Sequence, residues 1–392
     1  MASPTAAQAE PDWLIERRRE GASLASELAL PDPKAKGWEF TDLSELDLDS
    51  YTPASGSVAF ENATASGGVT SLERAVASDP DLLRDRLGSV VPASGDPFVA
   101  RNDAEWRQGV LVHVPAGEAL ERPVRVSIEP GAEETRLDWR TLIVLDEGAE
   151  AEVWEEYGSE GGSGLFNGVT EIVLGAGASL RYVCRQQLPE TSWVFATQRA
   201  EIGRDASLEW VALGFGSGRG KVRMETKLGG RGSSAKVTGV YVGHGRQHLD
   251  YDTTQEHAAP NTTSDLAFRG VLEGRSTAVW RGMIRVDPGA QQTDAFQESR
   301  NLLLSPRAHA DAIPGLEIEA NDVRCTHAAA IAQVDRDQLH YLRAHGLPEA
   351  IAQRLIIDGF LQALVERVPQ GELRESLSSS LEGRMAEILD SP

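Results

Sequence analysis

"LDEGAEAEV" (145–153), "LGAGASLRY" (174–182) and "IGRDASLEW" (202–210) are three writings of one pattern. Each opens on an apolar residue, passes through a polar turn holding Gly or Asp, reaches a small residue and begins a new strand. The steps between them are 29 and 28 residues. A weaker copy, "LGGRGSSAKV", starts 26 further on at Leu228, and "VDPGAQQTDAF" starts at Val286. A strand–turn–strand unit recurring at a near-constant step marks a solenoid, in which each coil buries its inner face against its neighbours. The turn glycines suit positions of positive φ. A twisted β-sandwich also spaces strands this way. The internal repeat favours the solenoid, and the expected fold class is mainly β.

Around this centre the texture changes twice. From 96 to 318 short β-branched runs alternate with glycine, as in "GVLVHVP" and "RPVRVSIEP", and this stretch is read as the β-helix core. Residues 1–95 are read as an N-terminal, mostly helical domain. "PDWLIERRREGASLASELAL" (11–30) has the spacing of an amphipathic helix, and "SLERAVASDPDLLRDRLGSVV" (71–91) reads as helix broken near Asp79–Pro80. Residues 319–392 are read as a C-terminal helical domain: "DRDQLHYLRAHG" ends on a glycine that suits a helix C-terminus. The next segment carries Ile351, Leu355, Ile356, Phe360 and Leu364 at helical spacing, a stripe that pattern alone assigns to packing.

The 392 residues, 41% hydrophobic and 25% charged, describe a soluble globular protein. No run approaches the roughly 18 apolar residues needed to cross a bilayer, and the polar start "MASPTAAQAEPDW" does not read as a secretory signal. Two cysteines argue against a disulfide framework and agree with a cytoplasmic location. The net charge of -22 makes nucleic acid and anionic membranes poor partners. Only five of the 38 basic residues are lysine, which fits adaptation to salt or a GC-rich coding sequence equally well.

Familiar catalytic signatures are weak. "GFGSGRGKV" (214–222) lacks the first glycine and the hydroxyl residue of a phosphate loop and reads as a flexible hairpin. His244, His248 and His257 match no standard zinc spacing and read as polar ladder residues. The remaining candidate is "VRCTHAA" (323–329), with Cys325 and His327 two apart. On a strand both side chains face one way, so they could converge on one ion, act as thiol and base, or simply be packed.

Several stretches resemble the SufB/SufD family of the SUF iron–sulfur cluster assembly system. They are "SRNLLLS" (299–305), "LEIEANDVRCTHAAAIAQVD" (316–335), "QLHYLRAHGL" (338–347), "LIIDGF" (355–360) and, near the start, "KGWEFTDLSEL" (36–46). The resemblance implies a right-handed parallel β-helix flanked by helical regions. It also implies a non-catalytic scaffold subunit that pairs with a SufB-like chain and binds the SufC ATPase through its C-terminal helices. On that reading Leu355, Ile356, Phe360 and Leu364 belong to an ATPase docking surface. The two cysteines that mark SufB align with Gln198 and Ser299, which favours the SufD type. His327 then supplies a ligand to an iron–sulfur cluster shared with SufB, held transiently and not as a resident cofactor, with Cys325 beside it. Two alternatives remain: a homodimeric metal-binding relative, and a β-helix enzyme acting on polysaccharide, which would carry clustered carboxylates or arginines.

Overall fold

The computed structural model describes residues 10–61, 68–131, 133–158 and 164–389; the first nine residues of the polar start read above lie outside them. The repeat step is the hydrogen-bond register of a parallel β-solenoid. Leu145, Leu174, Ile202 and Leu228 are successive Cα partners on adjacent strands. The same stack begins one coil earlier at Val114 and continues through His257, Val286 and Ile318. Eight coils result, each with one strand in either of two facing sheets, from Gln108–Val114 and Val124–Glu129 to His309–Ile318 and Arg324–Gln333. Strands adjacent in sequence lie in opposite sheets, so every hydrogen-bonded neighbour within the solenoid is one coil away.

Three residues after the corner, the chain adopts a left-handed conformation: Gly117, Gly148, Gly177 and Asp205 have φ between 55 and 72°. Glycine meets that demand without strain and Asp tolerates it. One copy escapes the sequence pattern because His257 occupies the apolar corner position. Its ring is fully buried, with Nδ1 2.7 Å from the Thr262 hydroxyl and Nε2 2.9 Å from that of Ser264. Burial lowers its pKa to about 4, so the corner holds a neutral imidazole.

The two ends of the solenoid differ. At the first coil, strands Ser57–Glu61 and Gly68–Ser71 pair antiparallel with Val124–Glu129 and Gln108–Val114 and cover both sheet edges. Helices α1 (Asp12–Glu27), α2 (Leu72–Ser78), α3 (Pro80–Arg86) and α4 (Pro97–Glu105) pack beside them. The fully buried Arg140 ties α4 to the solenoid, donating to Asp103 of α4 and, at 2.7 Å, to Glu171. "KGWEFTDLSEL" is part of a strap along the outer face of one sheet: Trp38 stacks on Phe98, and the Thr41 hydroxyl donates to Asp250.

Among the described residues no strand follows the last coil, and both of its sheet edges are unpaired. The chain instead turns into α5 (Arg336–Ala344), α6 (Glu349–Val365) and α7 (Glu372–Leu389). Ile357, Leu361 and Leu377 of the last two helices bury the outer face of one sheet at Val211, Val240 and Val271. Two expectations need correction. Residues 324–333, grouped above with the C-terminal helices, are a solenoid strand in register with Asp294–Leu303. "GFGSGRGKV" is no hairpin: it joins Ser207–Gly214 to Arg219–Leu228, which lie in different sheets, and Phe215 within it is buried.

Candidate functional site

Cys325 and His327 lie on the last strand, as partners of Ala295 and Gln297. Partners in a parallel ladder point to the same side. Gln297 is fully buried and reaches across the interior to carbonyl oxygens of the opposite sheet, so its face, and with it that of His327, is the inward one. Any earlier coil would bury these side chains. Here no ninth coil covers them, and His327 is exposed.

The two residues are not equivalent. Cys325 packs against Ile284, Val286, Ala290 and Ala295 and is half-buried. Burial and, after it, the carboxylate of Asp294 raise its thiol pKa. His327 stands free at the mouth, with the small residues Ala312 and Pro314 at inward positions of the facing terminal strand. Among the described residues no group of three or more His, Cys, Asp or Glu is arranged to hold a metal ion. What the open coil presents is one exposed imidazole and one half-buried thiol on the same inward face.

The positions aligned with the SufB cysteines also face inward. Ser299 is fully buried one coil below Ala329. Gln198 is buried deeper in the interior and donates from Nε2 to the Cys184 sulfur at 3.4 Å. Burial, and then the nearby Glu155 carboxylate, push the Cys184 thiol up to about 12, so it stays protonated and unreactive at neutral pH. The histidines of "VGHGRQHLDYDTTQEH" do not converge. His244 sits at a coil corner between Glu190 and Glu273, His248 meets Thr41 and Thr277, and His257 is the interior corner residue.

The last coil carries a feature that the sequence reading missed. Ile313, Leu316, Ile318 and Ile331 are 36–46% exposed, whereas the earlier members of the Ile318 stack are buried. The available signal is the helix start at Asp335, whose carboxylate caps the backbone N–H groups of Asp337 and Gln338 and ends the repeat without a covering strand. The helical stripe divides differently from expectation. Leu355 is exposed and Ile356 half-buried, but Phe360 packs against the solenoid under Arg269, and Leu364 is fully buried. Leu364 is thus a core residue and presents nothing to a partner. The exposed apolar side chains of this region are Tyr341, Ile351 and Leu355, and α5 itself has no buried residue.

The sequence that forms this solenoid matches a known family. The model of the SUF system FeS cluster assembly SufBD core domain matches residues 129–360, and the chain belongs to that family. It is similar to the iron–sulfur cluster assembly protein SufD of Bacillus subtilis, at 27% identity over 96% of this chain and 95% of the relative. An iron–sulfur cluster assembly SufBD family protein of Mycobacterium tuberculosis is 29% identical over 92% of this chain and 91% of its own length. The SufB protein of Bacillus subtilis matches less of both chains, 79% and 68%, at 26% identity. The chain is of the SufD type within a family of iron–sulfur assembly proteins. No helix among the described residues is long and apolar enough to cross a membrane.

Proposed function

We propose that the chain is a non-catalytic scaffold subunit whose open solenoid end docks on the corresponding end of a SufB-like chain, with His327 donating one ligand to a nascent cluster at the junction. The observation that carries this reading is the asymmetry of the solenoid. One end has both sheet edges covered by antiparallel strands; the other leaves both free, with four exposed aliphatic side chains on the last coil, three of which (Leu316, Ile318 and Ile331) share the inward face of His327 and Cys325. Folded proteins protect free edges, and an unprotected apolar one marks an interface.

The donor set suits the cargo. Iron–sulfur clusters take thiolates, and imidazole replaces thiolate on some irons. A site with so few ligands on one chain binds weakly until a partner completes it, which suits a scaffold that must release its product. Cys325 is the lesser member: its raised thiol pKa disfavours both metal ligation and attack as a nucleophile. A SufC-type ATPase would dock at the exposed face of α5 and α6 formed by Tyr341, Ile351 and Leu355. Movement of the paired ATPase subunits could then strain the junction and expose the cluster.

The test is co-expression with a SufB-like chain and a SufC ATPase, followed by native mass spectrometry and cluster reconstitution. A stable complex containing all three chains, with cluster yield reduced by His327→Ala at unchanged assembly, is the expected result. A chain that forms only homodimers and ignores both partners contradicts the reading.

A further inference from the structure

The interior of the coil below the mouth of the solenoid contains two buried polar atoms without a hydrogen-bond partner, Gln297 Oε1 and Trp280 Nε1, and the first lies on the face of His327. Gln297, one coil below His327, extends its side chain across the interior. Its Nε2 donates to the carbonyl oxygens of Gly282 (3.2 Å) and Gly315 (3.1 Å), on the last two strands of the facing sheet. Two carbonyl acceptors fix the amide's orientation, because the reverse flip would set oxygen against oxygen. Gly282 leaves room for both neighbours: a Cβ there would lie 2.2 Å from the Trp280 ring and 2.6 Å from Oε1. The amide consequently lies between the last two coils, with Oε1 fully buried and accepting no hydrogen bond.

Buried acceptors are rarely left unmatched, and each that is calls for a reason. His327 is the register partner of Gln297, on the same inward face and about 5 Å away along the sheet. A metal-ligating histidine characteristically donates its second N–H to such an acceptor, which selects the tautomer and orients the ring. We propose that Gln297 is the positioning residue for His327: its free Oε1 accepts the imidazole N–H and so determines which ring nitrogen faces the cluster. This rests on His327 being the ligand, but the hydrogen bond can be tested without any cluster.

The experiment is long-range ¹⁵N–¹H NMR on the full-length chain labelled with ¹⁵N-histidine and ¹⁵N-tryptophan, the His327 and Trp280 signals being identified by their loss in His327→Ala and Trp280→Phe. The expected result is one dominant neutral tautomer in the wild-type protein. In Gln297→Met, a variant of similar shape, the ring returns to the mixture typical of free imidazole. Gln297→Glu, which keeps acceptor oxygens but loses the N–H donors, retains the single tautomer and so separates the acceptor from a merely structural brace. Thermal melting checks that each variant folds. Trp280 Nε1 is also buried without a partner. A ¹⁵N-indole signal of Trp280 that moves in Gln297→Met while His327 stays unchanged would overturn the proposal, as would a wild-type His327 that already averages its tautomers. If the tautomer behaves as expected but His327→Ala leaves cluster yield intact, the ligand reading fails and the hydrogen bond stands.

Discussion

Ile202 and Ile318 occupy the same position of the solenoid, in its fourth and eighth coils, separated by four steps of the ladder. Truncating each to alanine therefore separates burial within the chain from burial by a partner. Ile202 is fully buried, and its loss leaves a cavity between coils, at a cost of about 2–5 kcal/mol. Ile318 is 42% exposed. Complete burial of an aliphatic side chain is worth about 1.5–3 kcal/mol, so about 1 kcal/mol remains available to a partner that covers the coil. Ile318→Ala should accordingly destabilise the free chain clearly less than Ile202→Ala, while raising the dissociation constant for a SufB-like chain about fivefold. Replacing Ile313, Leu316, Ile318 and Ile331 together by serine removes about 2–5 kcal/mol of association energy, on the order of a hundredfold or more in affinity. Unfolding midpoints of the free variants and calorimetric titration with the partner read both quantities. Unchanged partner affinity in the fourfold variant refutes the assignment of the interface. Equal destabilisation by the two single truncations refutes the open-coil geometry.

Other outcomes follow from individual side chains. His327→Ala should lower cluster yield several-fold in the reconstituted complex, and Cys325→Ser less, as read by iron and sulfide content per complex. Thiol titration of the native chain at pH 8 should detect Cys325 alone, with Cys184 reacting only after unfolding, because its pKa of about 12 and its burial block the thiolate. Leu355→Glu should weaken capture of the ATPase without changing the melting temperature, whereas Leu364→Ala, in the core, should lower stability by about 2–5 kcal/mol. His257 is neutral when folded and titrates near 4, against 6.5 for the ordinary side chain. The unfolded chain therefore takes up the proton first, and stability present above about pH 6.5 falls by about 3 kcal/mol as the pH drops to about 4. His248, also lowered by burial, adds in the same sense. Denaturant midpoints between pH 4 and 7 should show this slope, reduced in His257→Gln.

The solenoid is legible because its corner is a periodic demand: one apolar residue inward, then a left-handed turn residue, every 26 to 29 residues across the three clearest steps. The copy at His257 is hidden because hydrogen bonds to Thr262 and Ser264 let a polar ring fill an apolar place. The candidate site is legible only as a pair of residue types. Their inward orientation depends on the register with Asp294–Leu303, and their exposure on the absence of a following coil, neither of which is local to "VRCTHAA". The helical stripe misleads for a similar reason. Leu355 and Leu364 read alike in sequence, and only the docking of α6 on the second sheet separates surface from core. Gln297 carries no sequence signal at all; it emerges from Gly282 and Gly315 on the facing strands.

The most direct measurement is electron spin-echo spectroscopy of the cluster on the complex assembled from ¹⁵N-histidine-labelled chain and unlabelled partners. A nitrogen coupling that carries the ¹⁵N signature and disappears in His327→Ala is the expected result. A cluster with no nitrogen coupling from this chain, or one whose coupling survives His327→Ala, contradicts a ligand shared across the open solenoid end.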